Sequence, residues 1–157
     1  MKEMIRLNSY YEGLIQNLFG SSKGCFSNFM TFFYQYNQVK EFSPENVECM
    51  KFLYKAELEN CEILSQVLIF IGGDNRYFAS SRKYLSGFNA DYCKAISKMF
   101  VCDVELLEIG IIEVKNALQK IENKTIKEKL KKILDNKKNE LKLLKETFFK
   151  NNMLKKQ

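Results

Sequence analysis

Apolar residues in this chain recur mostly at intervals of three and four, the spacing of a helix that buries one side. Between residues 44 and 71, Val47, Met50, Tyr54, Leu58, Cys61, Leu64, Leu68 and Ile71 fall on one stripe and predict a long helix. Ser43 and Pro44 give it a start, with serine as cap and proline at the first helical position, and Gly72-Gly73 gives it a stop that accepts positive φ. A second stripe, Ile96, Met99, Phe100, Leu107, Ile111, Val114, Leu118 and Ile121, predicts a helix of about 33 residues starting at Asn89 with Asp91 in its first turn. A third, Ile126, Leu130, Ile133, Leu134, Leu141, Leu144 and Phe148, opens on a capping box of Thr125 and Glu128 and ends in a fraying tail over 151–157. Upstream, residues 5–19 are amphipathic and predict a short N-terminal helix. Gly20-Ser21-Ser22-Lys23-Gly24 then leads into an aromatic stretch over 25–36. The pattern there fits one kinked helix or two.

These elements predict an all-α protein, a four-helix bundle with short links at 40–43 and at Asn123-Lys124. The polar, aromatic segment 74–88 is long enough to cross over between antiparallel pairs. One proline in 157 residues agrees with long helices, and 46% hydrophobic residues are too many for a disordered chain. A single domain over 1–157 is expected, with its core at about 20–150.

Composition narrows function mainly by exclusion. The chain has no histidine, which removes histidine triads, histidine acid/base chemistry and histidine metal ligation. The net charge of +6 is uneven, +9 over residues 115–157 and −3 before them. That C-terminal region has 14 lysines but no arginine and only Phe148 and Phe149 as aromatics, so it reads as a solvated face, and nucleic acid is not the expected partner. Cys25, Cys49, Cys61, Cys93 and Cys102 include no CxxC pair, and the N-terminus does not read as a secretory signal, so reduced thiols and a cytoplasmic location are expected. The longest apolar run, residues 67–71, is far shorter than the roughly 20 residues of a membrane span.

The segment Ala56-Glu57-Leu58-Glu59-Asn60-Cys61-Glu62-Ile63-Leu64, followed by Ile69-Phe70-Ile71-Gly72-Gly73-Asp74-Asn75-Arg76-Tyr77, resembles the ferritin-like superfamily. The similarity is to its rubrerythrin, bacterioferritin and manganese-catalase-like spore-coat group. There a helix with Glu-x-x-His runs into a Leu-Gly-Gly-Asp-Pro-x-Tyr turn and a long crossover. The resemblance implies a ferritin-like bundle and, in intact members, a pair of iron or manganese ions that reduce peroxide, oxidise iron or disproportionate hydrogen peroxide. Such a pair needs several carboxylates and two histidines to hold cations about 3.5–4 Å apart. Transferred to this chain, the family pattern places Glu57 on a glutamate and Asn60 on its histidine, Leu107 on a second glutamate, and Asn136 and Asn139 on the last Glu-x-x-His. The aromatic segment has no Asp or Glu between Glu12 and Glu41, and Ser27 takes the remaining position.

Only Glu57 survives, so the resemblance implies a degenerate member without metal or other cofactor, a structural or interaction protein rather than an enzyme. An internal polar cluster of Glu57, Asn60, Cys61 and Lys137 is expected, with Lys137 supplying ammonium charge where metal charge is missing. The alternatives are a divergent iron or manganese oxidoreductase using Glu57, Glu105 or Glu108, and Cys61, and a module that binds an anionic partner through its basic C-terminal helix. Six aromatics within residues 26–36 exceed what one buried stripe accommodates, which points to outward packing between protomers and a homodimer.

Overall fold

A computed structural model describes residues 9–155 apart from 77, 78, 80, 82, 84–89, 91 and 94. The fold is all-α, with no strand among the described residues. A short helix α1 (Ser9–Gly20) precedes four long ones: α2 (Cys25–Phe42), α3 (Val47–Phe70), α4 (Ile96–Lys120) and α5 (Lys124–Lys155).

The N-terminal region is two helices rather than one kinked helix, and Gly24 explains the break. A Cβ on Gly24 would lie 3.0 Å from each of the Asn17, Leu18 and Phe19 carbonyl oxygens, so α2 starts against the end of α1 only because that atom is missing. The Gly72-Gly73 stop acts as the sequence indicates. Gly72 has φ +74°, its amide donates to the Ile69 carbonyl, and the Gly73 amide donates to the Leu68 carbonyl, the paired bonds of a Schellman motif.

Three helix starts differ from expectation. Residues 44–46 form a 3-10 turn ahead of α3, and Ser43 Oγ turns to Glu45 and Asn46 instead of to a helix amide. The fourth long helix starts at Lys124, because Asn123 is the better cap: its Oδ1 accepts from the Ile126 amide at 3.0 Å, which leaves Thr125 inside the helix. This helix also continues to Lys155, so the tail does not fray at 151. The α4 helix begins at Ile96, with Ala95 before it; the expected start at Asn89 lies outside the described residues.

Helix α2 packs on α3, α4 on α5, and α3 on α5, while α1 reaches α2, α3 and α4. A hydrogen bond of 2.9 Å from Gln35 to Asp103 joins α2 to α4. Contacts with α5 run from Asn46, just ahead of α3, with Asn151 to Glu59 of α3 with Lys132, so α3 and α5 are antiparallel. The short links make α2 antiparallel to α3 and α4 antiparallel to α5. Helices α3 and α4 therefore point the same way, and most of the expected crossover over 74–88 lies outside the described residues.

The core has two apolar clusters. One gathers Ile15, Phe19, Leu64, Val114, Ile121 and Ile133, the other Phe32, Met50, Leu53, Phe100, Leu107 and Leu144. Along every long helix a polar or side-chain-free position separates them: Asn28 on α2, Glu57 and Asn60 on α3, Gly110 on α4, Lys137 and Glu140 on α5. No helix among the described residues is long and apolar enough to cross a membrane.

Candidate functional site

The level between the two clusters is where charge enters the core. Glu57, Asn60 and Glu140 are fully buried and Lys137 is 2% exposed. Lys137 Nζ donates to Glu57 Oε1 at 2.7 Å. Asn60 Nδ2 donates to Glu57 Oε2 at 3.3 Å and to Glu140 Oε1 at 3.4 Å, and Asn136 Nδ2 donates to Asn60 Oδ1 at 2.8 Å. Asn136 also donates to Glu59 Oε2 at 3.0 Å, which ties the buried set to the surface of α3.

Gly110 makes room for the lysine. A Cβ there would approach Lys137 Nζ to 3.2 Å and its Cδ and Cε to 3.3 Å, so the ammonium stem lies against the α4 backbone where a side chain would otherwise stand.

Burying these ions is costly, and proton affinities show how the site meets that cost. Burial opposes the Lys137 charge, but the anions that Cys25, Glu57 and Glu140 form by the alkaline pH at which Lys137 would lose its proton outweigh it and hold the ammonium above its usual range. Burial raises the Cys25 thiol well above its ordinary value, so near neutrality it is uncharged and the anion facing Lys137 is the Glu57 carboxylate. Burial raises Glu140 well above the ordinary carboxyl value, and Glu57 adds to this by repulsion and a hydrogen bond, against the pull of Lys137 and the Asn60 amide. Burial thus favours the protonated form of Glu140 beside the Glu57–Lys137 pair. Burial also pushes the Cys49 thiol up to about 11 and raises Cys61, so neither is an activated nucleophile.

The structure brings together Glu57, Asn60, Asn136 and Lys137 from the sequence-derived candidates, and separates others. Asn139 is exposed, because one residue of register turns α5 so that Lys137 and Glu140 point inward in place of Asn136 and Asn139. Leu107 is buried in the apolar cluster with Phe32 and Leu144. Ser27 is buried but donates to the Ser22 carbonyl at 2.8 Å, serving the turn before α2. Cys61 lies with the apolar cluster that holds Leu64 and Ile133. Glu105 and Glu108 are exposed, so neither can restore an inward carboxylate on α4. The buried carboxylate there is Asp103, fully buried and accepting from Gln35.

Asp103 and Glu140 were not singled out by sequence reasoning, although a signal existed. The apolar stripes of α4 and α5 skip a step at 103 and at 137–140, where a helix of that length still needs inward residues. Among the described residues, no three Cys, Asp or Glu side chains converge to hold a metal ion. Compared with models of known families, with curated proteins and with solved structures, the chain matches none.

Proposed function

We propose that the chain is a ferritin-like bundle in which a lysine ammonium replaces the metal pair, and that it serves as a structural or protein-interaction module instead of an oxidoreductase. The observation that carries this reading is the Lys137 ammonium 2.7 Å from Glu57 at the centre of the bundle, with Glu140 beside it. The helix order adds support. Two antiparallel pairs, with α3 and α4 parallel, agree with the arrangement that the resemblance implies.

The residues do not fit an iron or manganese pair. Two such ions bring several positive charges and require a carboxylate-rich, histidine-containing donor set. This level instead provides one carboxylate already bound by an ammonium, one carboxyl whose hold on its proton burial strengthens, and amides from Asn60 and Asn136. A cation entering it would meet the fixed positive charge of Lys137.

Elemental mass spectrometry on protein expressed with iron and manganese supplied tests the reading. The expected result is far less than one ion per chain. About two ions per chain would overturn it and move peroxide and iron oxidation assays to the front.

A further inference from the structure

The outer side of the α4–α5 pair carries the excess charge of the chain in an ordered form. Along α5, Lys127, Lys131, Lys138, Lys142, Lys145 and Phe149 follow one another at steps of three, four or seven residues, which places them on one stripe about 33 Å long. The bond from Lys145 to Glu108 sets this stripe on the α4 side of the helix, whereas Lys132 and Asn136 face α3. Lys131, Lys138, Lys142 and Lys145 are exposed, and of the stripe only Lys145 has an ion-pair partner among the described residues. The exposed acids of α5, Glu128, Asp135 and Glu146, form a second stripe turned roughly 70° further from α4.

Apolar side chains stand beside these lysines. On α4, Val101 is 62% exposed and Ile112 58%, and on α5 Phe149 is 67% exposed. Val101 and Ile112 are three turns apart, so they share one side of α4 at a separation of about 16 Å. The rings of Phe100 and Phe148, with centroids 5.4 Å apart, bring their neighbours Val101 and Phe149 to the same end of the pair. Lys115 adds a further exposed lysine on α4. Against six lysines the same surface has two acids, Glu105 and Glu108, and Glu108 is already bonded to Lys145. The face is therefore strongly basic and studded with large apolar groups.

We infer that this face docks an acidic amphipathic helix of a partner protein, with the partner's carboxylates along the α5 lysines and its apolar side chains on Val101, Ile112 and Phe149. Charge complementarity selects the occupant. A second copy of the chain would bring the same lysines and be repelled, whereas a carboxylate-rich helix meets them with opposite charge. A nucleic acid would satisfy the lysines but present only phosphates and sugars to the three apolar groups, and the face has no arginine to fork onto phosphate. An amphipathic helix meets both needs, since it lays apolar residues and carboxylates along one groove. The inference rests on the interaction-module reading and names its partner. Its test is independent of metal content, so either can fail alone.

Fluorescence anisotropy with a labelled synthetic helix tests it, the probe being about 21 residues long to span roughly 30 Å, with a leucine stripe flanked by glutamates. Circular dichroism of each protein variant controls for folding. The full chain is expected to bind the probe saturably, and more weakly as salt is added. Lys138→Glu/Lys142→Glu should weaken binding at least about tenfold, because two attractions become repulsions. Ile112→Ser should also weaken it about tenfold, the loss expected when one large side chain no longer leaves water. Lys51→Glu/Lys55→Glu makes the same change of net charge on α3 and should leave the affinity within about twofold. No binding of the probe, an equal loss in the α3 variant, an unchanged affinity in Ile112→Ser, or tighter binding of duplex DNA or phosphatidylserine vesicles than of the probe would each overturn the inference.

Discussion

The two apolar clusters and the polar level between them are built by the same four helices but hold the protein together in different ways. In the clusters, Leu64, Leu68, Ile121 and Leu130 on one side and Phe32, Leu53 and Leu144 on the other are almost wholly buried, and each side chain contributes about 1.5–3 kcal/mol by leaving water. That force has no direction, so many packings satisfy it. The polar level gains little net energy, because desolvating Glu57 and Lys137 offsets most of their attraction. What it adds is register. Sliding α5 by one residue against α3 would leave an ammonium and a carboxylate buried without each other, a penalty the apolar clusters do not impose.

The largest expected effect breaks that middle level. Lys137→Met strands the Glu57 carboxylate in the core and should cost about 3–5 kcal/mol in urea unfolding. Glu57→Leu combined with Lys137→Met removes both charges and should lie near wild type, or above it by up to about 4 kcal/mol. If the single variant were as stable as the double, the pair would not be what sets the register.

A smaller effect sharpens the comparison through pH. Because burial raises Glu140 in the folded state, folding takes up a proton once the pH exceeds the ordinary carboxyl range. Its contribution is fully present below the unfolded value and is lost as pH rises towards the folded one. Relative to Glu140→Gln, the wild type should lose about 1.4 kcal/mol per pH unit across that window. Lys137, also raised, loses its contribution only at more alkaline pH, so it does not mask the trend. Unfolding midpoints of both proteins measured from mildly acidic to mildly alkaline pH check this, and parallel curves would show Glu140 to be ionised in the fold.

The smallest effect contrasts buried with exposed charge. Lys145 and Glu108 also pair, at 3.1 Å, but both side chains are about half exposed. Glu108→Ala should therefore change thermal stability by less than about 1 kcal/mol. A loss comparable to that of Lys137→Met would mean that burial is not what separates the two pairs.

Much of the fold was legible before any coordinates. The three- and four-residue spacing indicated an all-α chain, and the Ser-Pro and Gly-Gly signals placed α3 to within a turn at its start and a residue at its stop. Spacing was less reliable about which side faced in. Tyr54 and Leu58 belong to the predicted stripe, yet Leu53 and Glu57 are the residues fully buried there, while Leu58 is exposed. Hydropathy counts a buried glutamate as an outward residue, so the stripe rotates away from the true inner face wherever charge enters the core. The same error hid Asp103 and Glu140, while Asn139 was placed inside by the family register, which runs one residue off the inner face of α5.

Residue order alone was enough for local properties. The periodicity that marks the helices and the stop at Gly72 follow from propensity, a missing side chain and backbone sterics within a few residues, whereas the break at Gly24 and the start of α4 were decided by the packed structure. The absence of histidine likewise limits the chemistry whatever the fold. Long-range packing had to settle the rest, namely which charges are buried and how they are compensated. Glu57 and Lys137 are 80 residues apart, and whether they meet depends on the rotation of two helices about their axes and on the space left by Gly110 on a third. The free energy of a buried charge depends on its partner, and a partner so distant in sequence exists only once the bundle has closed.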